Sequence, residues 1–209
     1  MASLGTNLFA FITFLCLASS ATGHADCDLR DGDLLFCCSD SANAITAVTS
    51  GVEDLPIDHV AVVYRVSGEG VWSVIEAVKP EVRITPMSDF LAENGPVLHA
   101  RVNVDLDVEA SIGRCLSMVG KPYDDLYLPG DSAVYCSELV QMCFVNSAGE
   151  PIFSTVPMTF HDATGKVTNY WKEFYALRGM QVPEGEPGTN PGELSRRPQI
   201  TIIGKFPGK

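Results

Sequence analysis

Gly120-Lys-Pro-Tyr123, followed thirteen positions after Tyr123 by Cys136-Ser-Glu-Leu139, is the stretch from which the rest of this chain is read. Cys115 to Val119 closes an apolar helical pattern that Gly120 ends, and Pro122 forbids its continuation, which leaves Tyr123 on a loop. Downstream, Cys136, Leu139, Val140 and Cys143 recur at helical spacing and predict a second helix beginning near Tyr135 or Cys136. A thiol at a helix start faces unpaired backbone N–H groups and the positive end of the helix dipole, both of which favour thiolate over thiol. The thiolate is the attacking species in cysteine chemistry, so the position predicts a nucleophile. The competing reading is a buried core cysteine, the commonest fate of a free one.

Such a cysteine needs a base, and the chain has four histidines: His24, His59, His99 and His161. Asp58-His-Val-Ala-Val-Val-Tyr64 reads as a strand, as does Val71-Trp-Ser-Val-Ile-Glu-Ala-Val78. The polar, glycine-bearing Arg65–Gly70 between them suits a hairpin turn. A turn centred between Ser67 and Gly68 sets His59 directly across from Glu76, with Cβ atoms roughly 4.5–5.5 Å apart. The carboxylate then accepts a hydrogen bond from one imidazole nitrogen and leaves the other to take a proton from a thiol. A slip of one residue would send Glu76 to the opposite face. Glu76 sits in an otherwise apolar strand and must be paired or face solvent, with Arg83 as the structural alternative to His59. Tyr123 has its own bland reading, a packed ring with its hydroxyl on a backbone carbonyl. His99, on the strand face of Val97, Arg101 and Asn103, reads as polar-side, and His161 as a loop residue.

Asp31-Gly-Asp-Leu-Leu-Phe36, Asp58-His-Val60, Val74-Ile-Glu-Ala-Val78, Gly120-Lys-Pro-Tyr123 and Tyr135-Cys-Ser-Glu-Leu139 together resemble the permuted papain-like cysteine amidases, the YiiX/YaeF-type branch of the NlpC/P60 superfamily. Pro157-Met-Thr-Phe160 and Asn190-Pro-Gly192 resemble its secreted bacterial members, and the likeness covers roughly residues 28 to 200. In that family the histidine strand precedes the cysteine helix, as His59 precedes Cys136 here. The resemblance implies Cys136 as nucleophile, His59 as general base and then acid, Glu76 as the group orienting the imidazole, and Tyr123 near the nucleophile as a contributor to oxyanion binding. The backbone N–H of Cys136 is a second oxyanion donor by its place at the helix start. Asp58 departs from the small polar residue expected before the histidine and is a second carboxylate able to orient the ring. The resemblance also implies an amide as the scissile bond, with cell-wall (peptidoglycan) stem peptide as the leading substrate. A lipid- or acyl-directed amidase, thioesterase or acyltransferase is the first alternative, and a deep apolar channel beside Cys136 would favour it. A degenerate, non-enzymatic binding module is the second, and the joint presence of Cys136, His59, Glu76 and Tyr123 argues against it.

Composition bounds the rest. The 209 residues, 46 % of them hydrophobic, suit one domain with a proper core over 26–209. A net charge of −12 argues against nucleic acid and against adsorption to anionic surfaces. Residues 1–25 contain no Lys, Arg, Asp or Glu; Leu8 to Leu17 is a short apolar run, and small residues follow through Ala25. This reads as a secretory signal peptide without the usual basic start, too short for a spanning helix. It implies export to a periplasmic or extracellular space, with a lipid anchor on Cys16 or Cys27 as the alternative. Removal would leave six of the seven cysteines, an even number that invites a disulfide reading, but one that would consume Cys136. No Cys-x-x-Cys or Cys-x-x-His pair is present, which argues against a structural metal site; for the acyl-transfer reading no metal and no organic cofactor are expected.

Runs of strands between helices predict an α+β fold, an antiparallel sheet or half-barrel packed against helices, and the resemblance implies that this is a circularly permuted, papain-like NlpC/P60 arrangement. A strand is predicted at Leu34–Phe36, a helix at Ser41–Ser50, and then the hairpin and a strand at Val82–Thr85. A helical turn capped by Ser88 follows, then a strand at Val97–Val104 and a helix at Asp107–Val119. The helix of Cys136 comes next, with another at Thr168–Leu177, a Pro/Gly-rich surface arm at 183–192, and a closing strand at Gln199–Phe206. Cys115 and Cys143 read as small core residues.

Overall fold

The computed structural model of the chain describes residues 28–66 and 70–207. The expected leader at 1–25 lies outside them. Alternating or continuous apolar runs produce six strands in one sheet: β1 (Leu34–Cys38), β2 (Ile57–Arg65), β3 (Trp72–Ala77), β4 (Val82–Pro86), β5 (Val97–Val102) and β8 (Ile200–Phe206). Their order is β4-β3-β2-β1-β5-β8, and every neighbouring pair is antiparallel. Two further strands, β6 (Val156–Pro157) and β7 (Pro187–Gly188), form a separate ribbon. The helices are α1 (Met87–Glu93), α2 (Val108–Ser117), α3 (Cys136–Cys143), α4 (Asn169–Ala176) and α5 (Pro191–Ser195). The α+β class and the antiparallel sheet against helices are as the sequence predicts.

Both sheet faces are covered. One carries Phe36, Val60, Val62, Ile75 and Ala100 into the main core with Ile112 and Cys115 of α2 and Leu139, Val140 and Cys143 of α3. The other carries Leu35, Ala61, Val63 and Val74 against Phe90 of α1. A third cluster gathers Met158, Phe160, Trp171 and Tyr175 with Ala44, Ile45 and Val48. Cys115 and Cys143 are fully buried core thiols, and all five cysteines among the described residues are free. No helix among those residues is long and apolar enough to cross a membrane.

Four local differences have physical causes. The β2–β3 ladder pairs Val62 with Ile75 and Val63 with Val74, a shift of two residues from the expected register. Because the side-chain period is two, the shift keeps His59 and Glu76 on one face as diagonal rather than direct partners. The Ser41–Ser50 segment is a turn over 44–48: the Asn43 side chain caps it by accepting the Ile45 and Thr46 N–H groups, but only the Ala47 and Thr49 N–H groups reach four residues back, while Val48 N–H turns to Ile45. Helix α1 is preceded by Pro86 rather than capped by Ser88. The 183–192 segment is a surface arm only in its first half: Gly188, Thr189, Pro191 and Gly192 are buried, the last two opening α5 against β2.

Gly192 shows how tight that docking is. A Cβ added there would stand 2.8 Å from the Ser50 carbonyl oxygen and 2.9 Å from its carbon. Both are backbone atoms, so no rotamer change relieves the clash. Gly192→Ala is expected to cost about 1–3 kcal/mol, read as a lowered Tm in thermal unfolding; an unchanged Tm would contradict this packing.

Candidate functional site

Helix α2 has Asp107 as its N-cap, the side chain accepting the Ala110 N–H at 2.9 Å, and the chain reverses at Gly120 with φ 84°, a conformation few other residues tolerate. The loop that follows is stitched to β4 and the turn before it: Gly120 N–H donates to Val82, Val82 N–H to Lys121, and Tyr123 N–H to Pro80. Val134 N–H then returns to Pro122 and pairs the two segments at Tyr123 and Val134. This closure carries Tyr123 to the start of α3, which lies across β2 and β3.

Cys136 is the first residue of α3 and 5 % exposed. Its backbone N–H has no acceptor among the described residues, as befits the first helical position. His59, near the start of β2, sets Nε2 2.9 Å from Glu76 Oε2 and so leaves Nδ1 for a second partner. Burial alone would lower the imidazole's pKa. The neighbouring Cys136 thiol and the hydrogen bond to Glu76, with the charges both can carry, outweigh burial and hold it at about 10. The ring therefore stands between sulfur and carboxylate and favours its protonated form.

Glu76 is 2 % exposed. Burial would raise its pKa, but hydrogen bonds from His59, Thr85 Oγ1 (2.6 Å) and Arg83 Nε (3.1 Å) bring it down to about 2. The two roles weighed for this carboxylate coexist: one oxygen faces the imidazole, while the other is held by Arg83, its cross-strand partner, and by Thr85. Asp58 does not compete for the ring; its Oδ2 accepts from Asn43 Nδ2 at 2.6 Å. Tyr123 sets its hydroxyl 3.5 Å from that of Tyr127, and burial, reinforced by the Cys136 charge, drives its pKa far upward, so it stays a neutral O–H donor.

Cys136 and Tyr123 line one narrow cavity of ≈ 40 Å³, walled by Tyr127, Tyr135, Met158, Phe160 and Trp171 with Ile45. Asp58, Thr159, Thr189 and Asn190 supply its polar edge. The arrangement supports acyl transfer: a thiol at a helix start, a base between it and a fixed carboxylate, and donors facing the same space. Sequence reasoning missed Thr85, Tyr127, Trp171, Thr189 and Asn190 as parts of it. Only Asn190, inside its Asn-Pro-Gly motif, left a local signal.

The other candidates lie elsewhere. His99 is 2 % exposed, not on a polar face: Phe206 covers it and Asp33 bonds its Nε2 at 2.7 Å. Asp33 also takes two bonds from Arg101, so a buried ion-pair network replaces the solvated strand face its polar residues suggest. His161 pairs with Glu184. Asp124 accepts the Leu126 and Leu128 N–H groups and shapes its own turn. Glu138, in the first turn of α3, accepts from the Tyr135 N–H, and burial raises its pKa to about 7.

Residues 28–204 match the family described as permuted papain-like amidase enzyme, YaeF/YiiX, C92 family. The uncharacterized protein YiiX of Escherichia coli (strain K12) is 30% identical over 138 residues, which is 63% of this chain and 66% of that relative, just under two thirds of its length. The crystal structure of metalloprotein yiiX from Escherichia coli O157:H7 (DUF1105) superposes with a TM-score of 0.68 at 26% identity, covering 85% of this chain and 98% of the other.

Proposed function

The chain belongs to the permuted papain-like amidase family of the YaeF/YiiX type, and from that premise we propose that it is a cysteine amidase working through Cys136, His59 and Glu76. The observation that carries this reading is the His59 imidazole held between the Cys136 thiol and the ionised Glu76. The Cys136 thiolate attacks the amide carbon, and the tetrahedral oxyanion is met by the Cys136 N–H and the Tyr123 hydroxyl. The imidazolium gives its proton to the departing amine, the C–N bond breaks, and a thioester remains. Acylation removes the sulfur's charge, one of the two that favour the imidazolium. The neutral ring is thereby restored as the base that takes a proton from water, whose oxygen then displaces the thiol.

The related crystal structure is of a metalloprotein. Among the described residues of this chain no three His, Cys, Asp or Glu side chains gather as metal ligands do, and no step runs through a metal.

For the substrate, the narrow apolar cavity beside the sulfur suits an acyl part that presents a small apolar group. The alanyl residues of cell-wall stem peptides carry such a group, and export of the chain, supported by the apolar run at Leu8 to Leu17, would bring it to them. The aromatic character of the walls favours a second reading, an acyl- or lipid-directed amidase, thioesterase or acyltransferase whose tail parts Phe160 from Trp171. Amine release from an alanine-containing stem peptide, set against that from a long-chain N-acyl amide, distinguishes the two.

The chemistry itself is tested by intact-mass labelling with a thiol-reactive acyl probe. A single adduct at Cys136 is expected, lost or slowed at least tenfold in His59→Ala. Labelling indifferent to His59 would remove the histidine from the mechanism.

A further inference from the structure

Asn190 sits beside the nucleophile through a chain of bonds that leaves one of its own groups unused. Its neighbour Thr189 is 1 % exposed and tied to both residues flanking Cys136: the Thr189 N–H donates to Tyr135 Oη at 2.9 Å, and its Oγ1 to Ser137 Oγ at 2.8 Å. On the other side, Pro191 limits the backbone, and Gly192 packs on Ser50. Asn190 is thus registered against the start of α3 by elements on both sides of it.

The Asn190 side-chain oxygen is committed, accepting the Glu193 N–H at 2.7 Å. A backbone N–H there requires an acceptor, which fixes the amide's orientation and assigns Nδ2 to the opposite branch. No acceptor meets Nδ2 among the described residues, and Asn190 lines the cavity that Cys136 and Tyr123 line. An amide N–H pair held against a rigid support, beside a sulfur that builds an oxyanion, is a preorganised donor.

Resting on the cysteine-amidase reading above, we infer that Asn190 is a further catalytic residue, its Nδ2–H donating to the substrate's carbonyl oxygen as that oxygen becomes the oxyanion. It acts with the backbone N–H of Cys136 and alongside Tyr123, which lines the same cavity. Substrates of this site therefore present an acyl oxygen toward the Asn190 edge of the cavity and their apolar group toward Phe160 and Trp171.

Asn190→Asp and Asn190→Gly separate this role from helix capping. Asp keeps an oxygen for the Glu193 N–H, glycine is tolerated at a helix N-cap at little cost in stability, and neither carries a side-chain donor. With a short-chain N-acyl p-nitroanilide as substrate, kcat is expected to fall by roughly 10²–10³-fold in both, with Tm within a degree or so of the parent. Alkylation of Cys136 by iodoacetamide, which builds no oxyanion, should keep its parent rate in Asn190→Gly, where no new charge stands beside the sulfur. If either variant retains kcat within about threefold, or if alkylation in Asn190→Gly falls in step with hydrolysis, the donor role is overturned. Absence of parent turnover, or turnover that survives Cys136→Ala, sinks the amidase reading instead and takes this inference with it. Loss of turnover in Cys136→Ala and in the Asn190 variants, with alkylation kept in Asn190→Gly, upholds both.

Discussion

Cys136→Ala is expected to lower turnover of an acyl p-nitroanilide by roughly 10⁴- to 10⁶-fold while leaving the fold in place. The size follows from what disappears. Without sulfur there is no covalent intermediate, and the remaining donors act only on the spontaneous attack of water. The bland account of this residue, a small apolar filler at 5 % exposure between α3 and the sheet, makes a different forecast: a loss of about 1 kcal/mol from the void and no change in turnover per folded molecule. Cys136→Ser sharpens the contrast because it keeps the volume. A hydroxyl cannot hold a negative charge beside the His59 imidazolium at neutral pH as a thiol can. The serine variant is therefore expected to be nearly as inactive as the alanine variant, with a Tm close to the parent's. Substantial turnover in Cys136→Ser would mean that the acyl group never resides on this side chain.

The parts of this site that were legible in the sequence are those whose signal is local. A thiol at the first turn of α3 could be read because Gly120 and Pro122 end one helical pattern and Cys136, Leu139 and Cys143 begin another. The pairing of His59 with Glu76 survived a two-residue error in register because a strand's faces repeat every two residues; an error of one would have separated them. What local pattern cannot carry is contact between distant segments. Thr189 reaches Tyr135 and Ser137 across more than fifty residues, and Trp171 reaches the Ala44 carbonyl across more than a hundred. Neither tripeptide context hints at its partner. The same blindness explains His99, whose strand alternates as though one face were wet. Only the return of β8, with Phe206, and the approach of Asp33 show that face to be closed. The Ser41–Ser50 segment misled for the opposite reason: its apolar spacing was real, and Ala44, Ile45 and Val48 do pack inward, but the turn that Asn43 caps stops after Thr49 N–H reaches Ile45.

The second large effect is expected at Glu76→Gln. Arg83 can only donate, so it keeps an oxygen of the new amide where Glu76 Oε1 now stands, beside the Thr85 hydroxyl. The amide nitrogen must then face His59 Nε2 and donate to it. That fixes the imidazole proton on Nδ1, the nitrogen facing the thiol, and a ring already protonated there cannot accept the thiol's proton. Turnover at neutral pH should fall by roughly 10²–10⁴-fold from this tautomer inversion. The pH dependence moves as well. His59 is raised from 6.5 to about 10, so the stabilisation of its imidazolium is complete below pH 6.5 and is lost as pH climbs through 10. Glu76 is lowered from 4.5 to about 2, so its contribution is complete above pH 4.5 and is lost as pH falls through 2. The parent should therefore hold its imidazolium across the neutral range, with the alkaline limb of kcat/KM near 10. Removing the carboxylate removes one of the two charges that raise the ring, and in Glu76→Gln that limb should descend toward neutrality. Tm should fall most between pH 4.5 and 6.5, where both contributions are intact in the parent. A glutamine variant with an unmoved alkaline limb and turnover within about fivefold of the parent would leave Glu76 a structural partner of Arg83, and the imidazole would need another group to orient it.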